Sequence, residues 1–448
     1  MIFPLYRSSH KGRGRFFRQG FMNHPGYRKA KSIYRLIQPW LVWSLGAAFF
    51  FAEYFARVDP SIIIPQLLSA FHVGAFALGS LSAFFYYPYI AMQLPVGTLV
   101  DRFGPRRLLT IAAFVCGAAC LLFAASQSIW QAELARALMG FSAAFAFVGT
   151  LKLATLWFHP RRLGLLAGLT QGVGMLGAAV GEGAFAFIVA KIGWRYTMSL
   201  IAAFMFLLAL LIGTIVREKR PTLLGHMVPE TGQIKILDSL MILFRNSQSW
   251  RIAIYAGLIY APTGAFAELW GPSFLHRVYG VSHQIAALAV SLIFIGLAVG
   301  GPLVGWISDR IGKRRPVLVY SSLLSLVFIS LVLYIPHLPI VLLFLFLFLY
   351  GVSNMGIALS YAVSSELNPR PIAGVSVAFT NMASVLVAAA LQPLIGWMLE
   401  FHWKGLYTHG YPFYSAVDYQ QAMVMLPAAL VLACIVALSI RETHCQGK

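Results

Sequence analysis

The sequence predicts an all-α integral membrane protein of twelve transmembrane helices in two pseudo-symmetric six-helix bundles. Three observations predict it. Hydrophobic residues make up 59% of the 448 positions and charged residues only 11%, with a mean hydropathy of +0.76. A soluble chain carries about 25% charge, so disorder and an ordinary water-soluble enzyme are both excluded. Apolar spans free of Asp, Glu, Lys and Arg alternate with short charged joints, and one such joint recurs in the second half of the chain. The four cysteines, Cys116, Cys120, Cys434 and Cys445, lie in or beside apolar stretches and give neither a disulfide framework nor metal-ligand spacing.

A crossing helix needs about 20 apolar residues. The charge-free spans Pro60–Val100 and Pro316–Ser365 therefore have to break, and Phe71-His72-Val73-Gly74 and Pro336-His337-Leu338-Pro339 supply the turns. In order, the first six helices fall near 38–68, 77–99, 107–126, 129–156, 163–190 and 196–216. The second six fall near 251–275, 283–305, 316–335, 339–364, 371–399 and 419–440. This divides the chain into a basic tail (1–35), an N-terminal bundle (36–216), a linker (217–250), a C-terminal bundle (251–440) and a short tail (441–448). Within the linker, Ile236 to Phe244 has the apolar spacing of a short surface helix and reads as a tether between halves.

Charge placement orients the chain. With both termini cytoplasmic, 27 of the 34 Lys and Arg lie on the cytoplasmic side. Lys191, Arg195, Arg277 and Lys404 lie on the other, and Arg57, Arg136 and Lys152 fall inside helices. Short loops rich in Lys and Arg stay inside. The acid-free tail reads first as a solvated segment near anionic lipid. A mitochondrial presequence is also Arg-rich and acid-poor, but this tail has only three serines and no clear amphipathic stripe, and nucleic-acid binding is the weakest reading. It is not a secretory signal, because the apolar segment after it continues into a many-helix protein.

The recurring joint is Gly97-Thr-Leu-Val-Asp101-Arg102-Phe-Gly104-Pro-Arg106-Arg107, between helices two and three. Its counterpart, between helices eight and nine, is Gly305-Trp-Ile-Ser-Asp309-Arg310-Ile-Gly312-Lys-Arg314-Arg315. A chance basic loop would not repeat Gly, Asp, Arg, Gly, Arg and Arg in register at the matching joint of each half. In these segments, in Arg136-Ala-Leu-Met-Gly140, in Trp157-Phe158 and in Gly193-Trp194-Arg195, the chain resembles the major facilitator superfamily. The resemblance implies bundles related by a pseudo-two-fold axis around one central cavity, with alternating access by rocking. It also implies that the two joints hold the cytoplasmic side shut in the outward-facing state. Asp101 and Asp309 are expected at helix ends where a carboxylate accepts orphan N–H groups.

Ionisable side chains inside a membrane are expensive and mark cavities or partners. Arg57, in Glu53-Tyr54-Phe55-Ala56-Arg57, is the leading candidate for binding a carboxylate or phosphate with its planar fork. The alternatives are a permanent pair with Glu53 one turn away, or an interfacial position after a helix end at Ala56. This stretch is similar to the organophosphate and anion:cation symporter branches, which carry a substrate-binding arginine after Tyr-x-x. With Glu268-Leu-Trp-Gly-Pro, it is also similar to the proteobacterial intraphagosomal amino-acid transporters, which implies a bacterial inner membrane.

Glu53 and Asp59 are candidate proton carriers, although Pro60 suggests a bend and an outer position for Asp59. Glu268 either faces Arg57 across the cavity or forms an outer Trp/Glu corner. The three-residue spacing of Glu133 and Arg136 suggests a local ion pair. Lys152 reads as snorkelling or as a cavity cation for an anionic substrate. Gln171, Asn381 and Gln392 are neutral cavity candidates, and Glu182 sits in a glycine-rich helix suited to close packing.

The reading is a secondary transporter, not an enzyme, with no cofactor or metal. It moves a small anionic or zwitterionic solute (an amino acid, carboxylate or sugar acid) inward with protons, as a monomer in the lipid bilayer. No nucleotide-binding loop suggests ATP coupling. The runners-up are a drug or siderophore exporter of the same fold and a solute sensor that does not transport.

Overall fold

The computed structural model describes residues 25–159, 162–217, 236–335, 337–408 and 411–445. Most of the basic tail and residues 218–235 of the linker lie outside them. Twelve helices among the described residues are long and apolar enough to cross a membrane. The first six are α1 (Ile37–Ile62), α2 (Ala75–Met92), α3 (Pro105–Ala125), α4 (Ile129–Trp157), α5 (Leu163–Ile192) and α6 (Trp194–Ile215). The second six are α7 (Ser247–Tyr279), α8 (His283–Ile311), α9 (Arg315–Tyr334), α10 (Ile340–Leu367), α11 (Arg370–His402) and α12 (Ala416–Ser439). We call the end that carries the two repeated joints the basic face, and the other the opposite face.

Local chemistry explains where helices stop. The second glycine of each repeated joint has positive φ, +83° at Gly104 and +68° at Gly312. Side chains rarely tolerate that backbone, which is why Gly recurs at both. Past α1, the chain turns at Ile63 into a short helix, Ile64–Phe71, that ends at His72 with φ 52°. Pro88 and Pro95 each remove a backbone donor, and α2 is broken into Ala75–Ala83, Tyr86–Met92 and an extension, Pro95–Phe103. The α12 helix starts earlier than the apolar run because Ser415 and Asp418 cap each other's backbone N–H.

In α7, Thr263–Trp270 is π-helical between Pro262 and Pro272. Apolar periodicity gave no sign of it. The helix Ile236–Arg245 forms as expected and docks on α7 and α11: Phe244 stacks with Trp250, and both rings meet Phe379.

The halves meet along α2–α11, α5–α8 and α1–α7. At the opposite face the seam is tight. A Cβ on Gly79 would lie 2.5 Å from the Gln392 carbonyl, and one on Gly396 would lie 2.3 Å from that of Ala75. Glu400 of α11 accepts the Phe76 N–H at 3.0 Å, and the Tyr414 hydroxyl accepts that of Ala75 at 3.1 Å.

Deeper in, Asn381 donates to Gln93 at 3.0 Å, roughly 15 Å of helix from the basic-face ends of α11 and the α2 extension. Beyond that level the same four helices part. Gly97, Gly164, Gly168, Gly172, Gly305 and Gly374 face open space, and no ion pair among the described residues joins the halves at the basic face. The close contacts between the halves thus concentrate at the opposite face.

If the glycine contacts hold this state together, Gly396→Val must weaken it, because its neighbour is backbone and cannot yield. With the four native cysteines replaced, spin labels at Lys191→Cys on α5 and Gln284→Cys on α8 report the opposite-face separation. Gly396→Val is expected to lengthen that distance, and an unchanged distribution would refute the seam.

Candidate functional site

The helix α1 carries the site because i and i+4 side chains share a face. Glu53 and Arg57 use that spacing. Arg57 Nη2 donates to Glu53 Oε1 at 3.0 Å and to Oε2 at 3.4 Å, and the residues are 3% and 0% exposed. Three rings surround the guanidinium, with centroids 4.5 Å (Tyr54), 5.0 Å (Tyr89) and 5.3 Å (Phe85) from Cζ. Each cation–π contact is worth about 1 kcal/mol or more when desolvated. Arg57 Nε has no hydrogen-bond partner. The interfacial alternative is thereby excluded, since α1 continues to Ile62 and buries Arg57 at the level of Phe85 and Tyr89. Tyr89 is the half-buried member of the cage, and so its most accessible wall.

A second buried pair corrects two expectations. Arg136 does not pair with Glu133. Its Nη1 donates to Asp59 Oδ1 at 2.9 Å and to the Ala56 carbonyl, and its Nη2 donates to the Arg57 carbonyl at 3.2 Å. A fully buried guanidinium needs several acceptors, and the α1 backbone supplies what one neighbouring carboxylate cannot. Asp59 is correspondingly not in an outer position: it is 5% exposed and lies within continuous helix. Phe85 lies against both guanidiniums, 4.9 Å from Arg136 Cζ.

Glu268 joins this group from the other half, so the outer Trp/Glu corner is not what forms. It lies on the π-helical turn, 1% exposed, and accepts hydrogen bonds from Tyr86 of α2 and, at 2.7 Å, from Tyr260. Trp270 instead donates to the Gln392 carbonyl, whose side chain donates to the Gly264 carbonyl, which makes Gln392 a packing residue. Sequence reasoning missed Phe85, Tyr86, Tyr89 and Tyr260. The signal for the first three was the aromatic run Phe84-Phe85-Tyr86-Tyr87-Pro88-Tyr89 in a charge-free span, and Tyr260 had none.

The remaining candidates separate by position. Lys152 reaches the basic face, as the snorkelling reading has it, and pairs there with Asp101 at 2.6 Å, both partly exposed. Asp101 and Asp309 lie in the last turns of the α2 extension and α8, where the helix dipole disfavours an acid. The expected N–H capping is therefore replaced by ion pairs. Asp309 binds Arg314 at 2.7 Å, and Arg314 also binds Glu366 of α10 at 2.8 Å.

Arg106 donates to the Gly213 carbonyl of α6 at 3.1 Å through Nε. Arg102 and Arg310 rest on Phe103 and Trp306, and Arg107 is exposed. The Arg315 N–H and that of Arg314 are held by Glu442 of the C-terminal segment at 3.0 and 2.7 Å. Together with those of His444 and Thr443, these N–H groups outweigh the effect of burial and hold the Glu442 carboxyl below its ordinary 4.5. Gln171 is half-buried on α5 beside the open Gly172 and outside the cluster. Asn381 accepts from Tyr361 at 2.9 Å while bridging to Gln93.

The sequence matches the Major Facilitator Superfamily over residues 42–393 and again over 269–440. It is 26% identical to a probable sulfoacetate transporter, SauU, of Cupriavidus necator, over 59% of this chain and 64% of that one. It is 26% identical to the membrane sensor protein UhpC of Salmonella typhimurium, over 90% and 92%. Among solved structures it resembles an inward-facing, occupied bacterial homologue of the human lysosomal transporter Spinster. That likeness has a TM-score of 0.73 at 15% identity and covers 90% of this chain and 97% of that one. Twelve crossing helices, the repeated joint and a family match across most of the sequence lead to one conclusion: this chain belongs to the Major Facilitator Superfamily, as a membrane transport protein and not an enzyme.

Proposed function

We propose that the protein imports a small organic anion or zwitterion with protons by alternating access, with Arg57 as the anion-binding residue. One observation carries the reading. Arg57 is a caged guanidinium at the seam between the halves, with Nε unpaired, Nη2 on Glu53, and its cage partner Phe85 adjacent to Tyr86, which reaches Glu268 of the other half. A planar fork with free donors suits a carboxylate, sulfonate or phosphate. SauU's assignment to sulfoacetate, an organic anion, supports that class.

Substrate enters from the basic face by displacing Tyr89 and competes with Glu53 for Arg57. A Glu53 that loses its cation takes up a proton, because an unpaired carboxylate is costly there. Anion and proton binding are thereby linked. Asp59 stays with Arg136 as the structural pair, and Glu268 reports occupancy to the second half through Tyr86. The predominance of Lys and Arg at the basic face supports a cytoplasmic location for it, and the opposite face is then external.

A panel of carboxylates, sulfonates and sugar acids, sulfoacetate included, tested by thermal shift on purified protein should reveal a stabilising anion. At 100 times Kd that amounts to about 2.7 kcal/mol. Arg57→Ala should abolish the response and Arg57→Lys should reduce it strongly. Stabilisation only by uncharged compounds, or an undiminished response in Arg57→Ala, would defeat the proposal.

Similarity to UhpC over nine-tenths of the chain favours a second reading, a sensor that binds solute without moving it. Counterflow in proteoliposomes separates the two. A transporter exchanges labelled anion, and its Glu53→Gln variant keeps exchange while losing proton-driven accumulation. Binding without counterflow would establish the sensor instead.

A further inference from the structure

Glu182 of α5 takes no part in the Arg57 cluster, yet it is fully buried. Its Oε1 has no partner and its Oε2 lies 2.7 Å from Ser61 Oγ. Ser61 Oγ is also 2.6 Å from the Val58 carbonyl oxygen. A serine hydroxyl has one hydrogen, and a carbonyl oxygen has none. With that hydrogen directed to Val58, the short contact to Glu182 requires a second one, and only the carboxyl can carry it. A neutral acid also accounts for Oε1, since an unpaired carbonyl oxygen costs far less in an apolar interior than an unpaired carboxylate oxygen.

The location gives this proton a use. The neighbouring Gly183 is where α5 crosses to the other half: a Cβ there would lie 3.3 Å from Ser291 Oγ and 3.5 Å from Leu288 of α8. On the other side, Gly181 packs on Val58 and Phe55 of α1. Beside Gly181 a narrow crevice lies between α1, α5 and α6, lined by Asp59 together with Phe55, Ile62, Phe185 and Met198. The charged groups that face Glu182 are Asp59 of α1, already bound by Arg136 of α4, and Glu268 of α7. On the α8 side it is the adjacent Gly183 that meets Leu288 and Ser291, and no basic side chain among the described residues pairs with Glu182.

We propose that Glu182 is a proton-binding site that locks the α5–α8 seam: protonated, it permits the opposite face to close, and it releases its proton to water when that face opens. The site does not depend on Arg57 binding an anion, so either proposal can fail alone.

The Lys191→Cys and Gln284→Cys reporter pair tests it in the full-length protein without substrate. In the otherwise wild-type protein, raising the pH should shift the population towards a longer separation, by at most tenfold per pH unit for one linked proton. Glu182→Gln, whose amide donates to Ser61 as the acid does, should stay closed across the same range. Infrared difference spectra should contain a protonated-carboxyl C=O band that Glu182→Gln lacks.

The proposal is overturned if Glu182→Gln opens with pH like the parent, if the parent shows no pH dependence, or if the band persists in the variant. It is also overturned if the separation follows sodium at fixed pH instead of the proton. Should Glu182→Gln fail to fold, Ser61→Ala removes the acceptor of the acid's proton and should move the midpoint to lower pH; an unmoved midpoint overturns the proposal.

Discussion

Everything in this molecule that bears on function follows from one constraint: a charge taken into hydrocarbon must find compensation within the protein. Arg57 finds it in Glu53 and three aromatic rings, and Arg136 in Asp59 and two α1 carbonyls. These solutions differ in kind. Arg136 is tied to backbone and cannot leave without stranding acceptors in α1, so it fixes α4 against α1. Arg57 is tied to one side chain on its own helix, so a competing anion can replace that partner without unfolding anything. Position in the same membrane does not separate a structural arginine from an exchangeable one; the identity of the acceptors does.

The two halves are joined by contacts of the same reversible sort. Where they touch, backbone meets backbone over glycine, at Gly79 and Gly396, a single carboxylate caps a helix start, as Glu400 does, or single hydrogen bonds cross, as from Tyr86 to Glu268 and from Asn381 to Gln93. No salt bridge among the described residues spans the seam. Such contacts are lost together when the helices separate and cost little to hydrate, which suits the alternating access proposed for this protein. Within each half the joints are firmer. Asp101 with Lys152, and Arg314 with Asp309 and Glu366, tie neighbouring helices of one bundle. The halves can therefore move as units.

Much of the fold was legible because apolar length and joint chemistry are one-dimensional signals. Twelve spans, the doubled Asp-Arg-x-Gly joint and the short helix at Ile236 could all be read from order alone. The π-helical turn at Thr263–Trp270 could not, since nothing in apolar periodicity separates it from α-helix. The site was half legible. A rare charge such as Arg57 or Glu268 stands out in an apolar span, and i,i+4 spacing identified Glu53 as its partner. Partners on other helices did not stand out. Asp59 is 77 residues from Arg136 and Tyr86 is 182 from Glu268, so nearest-neighbour spacing assigned Arg136 to Glu133 instead. Tyrosines 86, 89 and 260 carry no charge and were invisible until the packing placed them.

The central claim is that an anion and Glu53 compete for Arg57, so that binding one drives a proton onto the other. Calorimetric titration of the stabilising anion in buffers with different heats of ionisation measures the protons taken up per anion bound. The account predicts uptake approaching one proton in the wild type near neutral pH and none in Glu53→Gln, with anion binding retained. Binding without proton uptake in the wild type, or the same uptake in Glu53→Gln, would contradict it.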